Sequence, residues 1–141
     1  MLRVPENDLD YDAKRAIYFY GGRPFTGVAI STYPNGAPMA ETQYEDGLFH
    51  GASRGWWESG KLEAEGNYHF GGAHGQARKW HANGQLAEEE EYEYATLLLR
   101  KKWDEAGNLV EEYELKESDP AHASLLLSRK AYGGGSPSGD Q

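Results

Sequence analysis

The sequence predicts a mainly β chain: a meandering antiparallel sheet of stacked β-hairpin repeats with a short C-terminal helix. Three observations carry that expectation. Tyr20, Tyr44, Tyr68 and Tyr92 stand 24 residues apart, and each opens a segment that resembles the others. Glycines keep the same phase, with Gly27, Gly51 and Gly75 seven residues after the first three tyrosines and Gly36, Gly60 and Gly84 nine residues after those. Each segment also holds two short runs around a turn signal: Pro34-Asn35-Gly36, Glu58-Ser59-Gly60, Ala82-Asn83-Gly84 and Glu105-Ala106-Gly107. Asn and Gly tolerate positive φ, so such a tripeptide between aromatic-bearing runs folds the chain back on itself. A fixed period of this size marks a stack of small units, and a stack offers an extended surface before it offers a pocket.

The elements follow in order. Residues 1–19 are expected to supply a strand or hairpin leading into the repeats, with Ile17 and Phe19 alternating against polar neighbours. Residues 20–115 supply four hairpin repeats. The fourth is degenerate, placing Leu99 where the first glycine should be and reaching Gly107 one residue early. Residues 116–132 carry Ser118-Asp119-Pro120, a helix start with an N-cap before a proline, then Leu125, Leu126 and Leu127 and a basic Arg129-Lys130 near the end. That helix is expected to cap the last hairpin's exposed edge or face. Residues 133–141, GGGSPSGDQ, read as a flexible tail.

Pairing residues symmetrically about each turn tests the register. A two-residue turn at Ser59-Gly60 sets Arg54 against Glu65, Trp57 against Leu62 and Gly51 against Tyr68. The next unit sets Arg78 against Glu89, Lys79 against Glu88 and Gly75 against Tyr92, and the last sets Lys101 against Glu112 and Lys102 against Glu111. Opposite-charge pairs across strands contribute roughly 0.2–1 kcal/mol each, and five from one assumed register support it. A glycine facing a tyrosine suggests a ring covering bare backbone, with Tyr44 over Gly27 in the same way. Glu41, Glu65, Glu89 and Glu112 fall in one column, roughly 10 Å apart at twice the strand spacing, which favours a structural role over a catalytic one.

Composition narrows the function. The chain of 141 residues is one domain's worth, 38% hydrophobic, with ten Tyr and four Trp among its apolar residues. A net charge of −9 argues against nucleic acid and anionic lipid and favours a basic protein partner. The first residues lack the apolar core of a signal peptide, no stretch approaches a membrane span, and the absence of cysteine removes a thiol nucleophile and a Cys-based zinc site. These features fit a cytoplasmic protein. The five histidines lack paired zinc-ligand spacing, and no phosphate loop or Ser/His/Asp company is present, so no cofactor, metal or enzymatic activity is expected.

Two groups remain as partner-binding residues. Trp56, Trp80 and Trp103 lie four residues before each turn glycine and point to one face, with Trp57 and His81 on the other. The tryptophans either pack the stack or form the contact surface. Glu88, Glu90 and Glu91 belong to the densest charge run. Glu88 has a cross-strand basic partner, whereas Glu90 faces Ala77 and Glu91 faces Gln76, leaving two carboxylates to be solvated or to engage a basic surface.

The pattern Y-x-x-G-x-x-x-G, clearest from Tyr44 to Gly51, followed by an aromatic pair, x-N-G and L-x-x-E, resembles the bacterial variant of MORN repeats. More closely it resembles the YwqK-family antitoxins, also met as immunity proteins of polymorphic toxin systems. The resemblance runs over residues 16–115, through Pro24-Phe25-Thr26-Gly27, Trp56-Trp57-Glu58-Ser59-Gly60-Lys61-Leu62 and Trp80-His81-Ala82-Asn83-Gly84-Gln85-Leu86. It implies a protein that binds and blocks a cognate toxin domain by occlusion; the alternative is a general MORN-type protein–protein scaffold. The chain departs from the pattern at Arg23 and Ala95, where a turn glycine is usual, and at Leu97-Leu98-Leu99.

Overall fold

Four hairpins in series form the sheet, as the tyrosine period predicts. The computed structural model of the chain describes residues 1–133; the tail expected at 133–141 lies outside the described residues apart from Gly133, the C-cap of the helix. The hairpins are β5 (Gly27–Thr32) with β6 (Pro38–Glu45), β7 (Leu48–Trp56) with β8 (Leu62–His69), β10 (Gly75–Trp80) with β11 (Leu86–Glu93), and β12 (Thr96–Trp103) with β13 (Leu109–Glu114). A two-residue strand, β9 (Gly72–Ala73), pairs with β8. The sheet runs β1-β5-β6-β7-β8-β10-β11-β12-β13, and all its pairings are antiparallel except that of β1 (Arg3–Pro5), which lies parallel to β5.

The register predicted from charge is the register observed: Arg54↔Glu65, Arg78↔Glu89, Lys79↔Glu88, Lys101↔Glu112 and Lys102↔Glu111 are cross-strand partners. Close to each turn the ladder slips by one residue, so Trp56, not Trp57, lies opposite Leu62, as Trp80 does opposite Leu86 and Trp103 opposite Leu109. Turn chemistry is the reason. The Gly60 N–H donates to the Trp57 carbonyl and the Trp57 N–H to the Lys61 carbonyl, both at 2.8 Å. Gly60 sits at φ 95°, so the turn has three residues with glycine in the left-handed third place rather than two.

The glycine–tyrosine pairings Gly27↔Tyr44, Gly51↔Tyr68 and Gly75↔Tyr92 also hold, but the rings do not cover the glycines. The atoms nearest a Cβ at these positions belong to the Leu2 carbonyl and Phe25 ring, to the Gln43 side chain, and to Asn67. The Gln43 Oε1 accepts the Ala52 N–H at 2.8 Å beside Gly51, where the β6–β7 ladder is itself irregular. Gly27 makes room for the Leu2 carbonyl and the Phe25 ring, and Gly51 for the Gln43 amide, rather than for the paired tyrosine.

The first 24 residues do more than lead in. After β1 and a 3-10 turn at Glu6–Asp8, β2 (Asp10–Asp12), β3 (Ile17–Tyr20) and β4 (Arg23–Pro24) form a separate three-stranded sheet. Tyr20 therefore belongs to this small sheet, whereas Tyr44, Tyr68 and Tyr92 lie in main-sheet strands. In the repeat pattern β3 should pair with β5 as β8 pairs with β10. Instead β1 takes the place beside β5, freeing β3 to fold over the main sheet. Tyr18 and Phe25 meet Tyr44 edge-on at 5.4 Å, and Phe49 lies 5.1 Å from Tyr44. With Val4 and Ala29 these make the hydrophobic core.

The C-terminal helix α1 (Pro120–Tyr132) lies against β12 of the last hairpin and the turn that leads into it. The Arg129 guanidinium binds both oxygens of Glu93 at 2.7 and 2.8 Å, and the Tyr132 ring lies 5.6 Å from Tyr94. The helix thus sits against the β11–β12 turn and β12, with Leu125 fully buried, and among the described residues no strand pairs with the outer edge of β13. The Asp119 side chain does not cap the helix; its Oδ2 accepts the Lys116 N–H at 2.9 Å.

Candidate functional site

Because cross-strand partners share a face, the correct register builds a row of alternating charge across the sheet. Glu41, Arg54, Glu65, Arg78, Glu89, Lys101 and Glu112 are successive partners from β6 to β13. Arg78 bridges Glu65 at 3.7 Å and Glu89 at 3.0 Å. Arg3 reaches Glu41 at 2.7 Å from β1, so all four glutamates of the predicted column carry a basic partner. The column holds strands together.

Trp56, Trp80 and Trp103 continue that face, two residues beyond Arg54, Arg78 and Lys101, and all three are half-buried. One strand intervenes between each pair, so the tryptophans form a spaced column at roughly 10 Å intervals. Their backbones are tied from the neighbouring turns. The Tyr33 hydroxyl donates to the Trp56 carbonyl at 2.7 Å, and His81 Nε2 contacts the Trp103 carbonyl at 2.8 Å. Trp57, between Tyr33 and His81 in the repeat, breaks this series: its indole N–H is buried with no partner among the described residues. It lines a shallow groove of about 450 Å³ with Lys79, His81 and Glu88.

The acidic run divides on contact with the structure. Glu90 is 7% exposed and is not free for a partner, contrary to the reading of it as unpaired. Across its own hairpin it faces Ala77, but the next strand brings the Arg100 guanidinium to 2.6 Å, and the Tyr92 hydroxyl donates to it at 3.2 Å. Burial pushes the Glu90 carboxyl up, but the Arg100, Glu88 and Tyr92 hydrogen bonds outweigh it and hold the group below its ordinary value. Glu88 moves the other way, raised first by burial and then by its hydrogen bond to Glu90. Its register partner Lys79 closes no ion pair with it; Lys102 does, at 3.9 Å. Glu91 makes no ion pair among the described residues and lies between Gln76 and Leu99.

A second aromatic seam, missed from sequence, follows the opposite ends of the strands. His50 Nδ1 accepts the Phe70 N–H at 3.1 Å, and His74 Nδ1 accepts the Tyr94 N–H at 2.9 Å. His69 lies between the two, its ring 5.1 Å from His50 and 5.4 Å from His74. The 24-residue separation of His50 from His74 and of Phe70 from Tyr94 was the available signal. Among the described residues no group of side chains has the arrangement to hold a metal ion, and no helix is long and apolar enough to cross a membrane.

A family model described as MORN repeat variant matches residues 49–69 and 73–94, the central two hairpins. Immunity protein YwqK of Bacillus subtilis (strain 168) is 61% identical over 109 residues, covering 77% of this chain and 70% of that protein. The chain belongs to this MORN-variant family. The MORN-variant match covers the two hairpins that carry the Arg54–Glu65, Arg78–Glu89 and Lys79–Glu88 pairs. A solved GtfA/B complex bound to UDP and GlcNAc aligns over 77% of this chain and 27% of that chain, with 11% identity and a TM-score of 0.34, which carries no argument.

Proposed function

We propose that this chain is a cytoplasmic immunity protein, an antitoxin that binds a cognate bacterial toxin domain and neutralises it by occlusion, performing no chemistry itself. The observation that carries the reading is the identity with an immunity protein across most of both chains. The architecture supports it: an extended sheet with a spaced tryptophan column and a shallow groove suits a broad protein contact. The contact surface is the face bearing Trp56, Trp80 and Trp103, with Glu91 on the strand between Trp80 and Trp103; Glu88, the cross-strand partner of Lys79, lies with the groove on the opposite face. Glu90 is left out, because its carboxylate is spent on Arg100. The net charge of −9 suits a toxin with a basic surface, the kind a nucleic-acid-cleaving domain presents to its substrate.

Co-expression with a candidate cognate toxin domain tests the reading. Growth should be rescued and a stable complex isolated. Binding without rescue would leave only a MORN-type scaffold, and neither would end the proposal. Trp80→Ala should weaken the complex more than it lowers the unfolding free energy. The reverse would assign the tryptophan column to packing.

A further inference from the structure

We infer that the free edge of β13 is a docking edge, taking an extended basic segment of the partner as the next strand of the sheet. The inference deepens the toxin-binding reading above and rests on it for the identity of the partner.

Charge alternates strand by strand through the repeats. The first strand of each later hairpin is basic (Arg54 in β7, Arg78 and Lys79 in β10, Arg100 to Lys102 in β12) and the second is acidic. Each internal acidic strand of these later hairpins is flanked by basic strands on both sides. Glu65 lies between Arg54 and Arg78, and Glu89 between Arg78 and Lys101. The acidic strand β13, with Glu111, Glu112 and Glu114, has such a neighbour on one side alone, and among the described residues no strand lies beyond it. All six of its residues are exposed. The opposite edge of the sheet is the three-residue β1, ending in a proline without an N–H.

The backbone of β13 is set for pairing. The Leu115 N–H donates to the Leu98 carbonyl at 2.8 Å. Counting back along an antiparallel ladder, Tyr113 and Glu111 turn their main-chain groups toward β12, whereas Glu112 and Glu114 turn theirs outward. Apolar surface flanks the edge: Leu109, Val110 and Tyr113 on the strand and Leu99 beside it are 37–61% exposed. A basic strand laid here would restore the charge pairing of the internal strands, with specificity from side chains and affinity from main-chain hydrogen bonds. A second copy of the chain does not fit, because it would bring an acidic β13 against this one.

A capped peptide copying Gly75–Trp80, a basic strand that already neighbours an acidic one, is the probe for the isotope-labelled full chain. Binding should give exchange protection to the Glu112 and Glu114 amides while leaving that of Tyr113 unchanged. Peptides with Glu in place of Arg78 and Lys79, or with alternate amides N-methylated, should each bind about tenfold more weakly or worse. Equal binding of the N-methylated peptide, or protection centred away from β13, would overturn strand addition. Glu112→Gln is the matching change in the chain; its side chain is 61% exposed and its Lys101 contact is long at 3.9 Å, so folding should survive. Loss of toxin affinity by about tenfold with an unchanged melting temperature supports the docking edge. Undiminished affinity sinks it and leaves the immunity function standing. Failure of the native chain to rescue growth sinks that function instead, and the peptide arm still decides the edge.

Discussion

The two ends of the sheet are stabilised by different physics. At the first hairpin, Phe25, Tyr44, Val4 and Ala29 are all under 5% exposed beneath the small sheet β2–β4. At the last, β13 has no buried residue, and the cross-strand contacts are ion pairs such as Lys101–Glu112 and Lys102–Glu111. The repeat is the same; what differs is whether anything covers it. A repeat unit cannot bury its own apolar face, so the covered end anchors the stack while β13 at the other end stays exposed.

The contrast can be broken most severely at Phe25. Phe25→Ala should lower the unfolding free energy by about 3–5 kcal/mol in urea titration, while Val110→Ala on exposed β13 should fall within about 0.5 kcal/mol of native. Comparable losses would abolish the distinction. Arg100→Met strands the buried Glu90 carboxylate and should lower stability by about 2 kcal/mol, more than Lys101→Met on the open face.

One turn position, occupied at both ends, sharpens the comparison. Gly47, Gly71 and Ala95 close successive inter-hairpin turns at φ 85°, 94° and 65°. A Cβ on Gly47 would come within 2.8 Å of the Tyr18 carbonyl, whereas one on Gly71 meets Leu48 at an ordinary 3.7 Å. Gly71→Ala should therefore lower the unfolding free energy by about 1 kcal/mol through left-handed strain alone, and Gly47→Ala by clearly more. Ala95→Gly, relieving strain at the far end, should raise it by roughly 0.5–1 kcal/mol. Equal effects at Gly47 and Gly71 would show that the small sheet yields.

The smallest expected effect is on pH dependence, from His69 in the seam between the ends. Burial, then His50 and His74, lower its pKa below the ordinary 6.5. As the unfolded chain then takes up the proton first, stability is full above the ordinary value and declines as pH falls from there through the folded value. His69→Asn should flatten the fall in melting temperature just below the ordinary histidine value, a window above that of the carboxylates. An unaltered profile would remove His69 from the account.

Much of this was legible in the chain itself. Period, turn glycines and charge complementarity specified four hairpins and their register, because each depends on residues within one repeat. Glu90 shows where that reasoning stops: its hairpin partner is Ala77, and its ion partner Arg100 arrives from the following hairpin. The ladder slip at Trp56 was lost because Ser59-Gly60 alone does not tell a two-residue turn from a three-residue one. Which strand lies beside β5, where α1 docks and which edge stays open were decided only by tertiary structure. Those outcomes turn on competition between segments distant in sequence for the same apolar surface and the same backbone edge, and a local pattern does not record who wins.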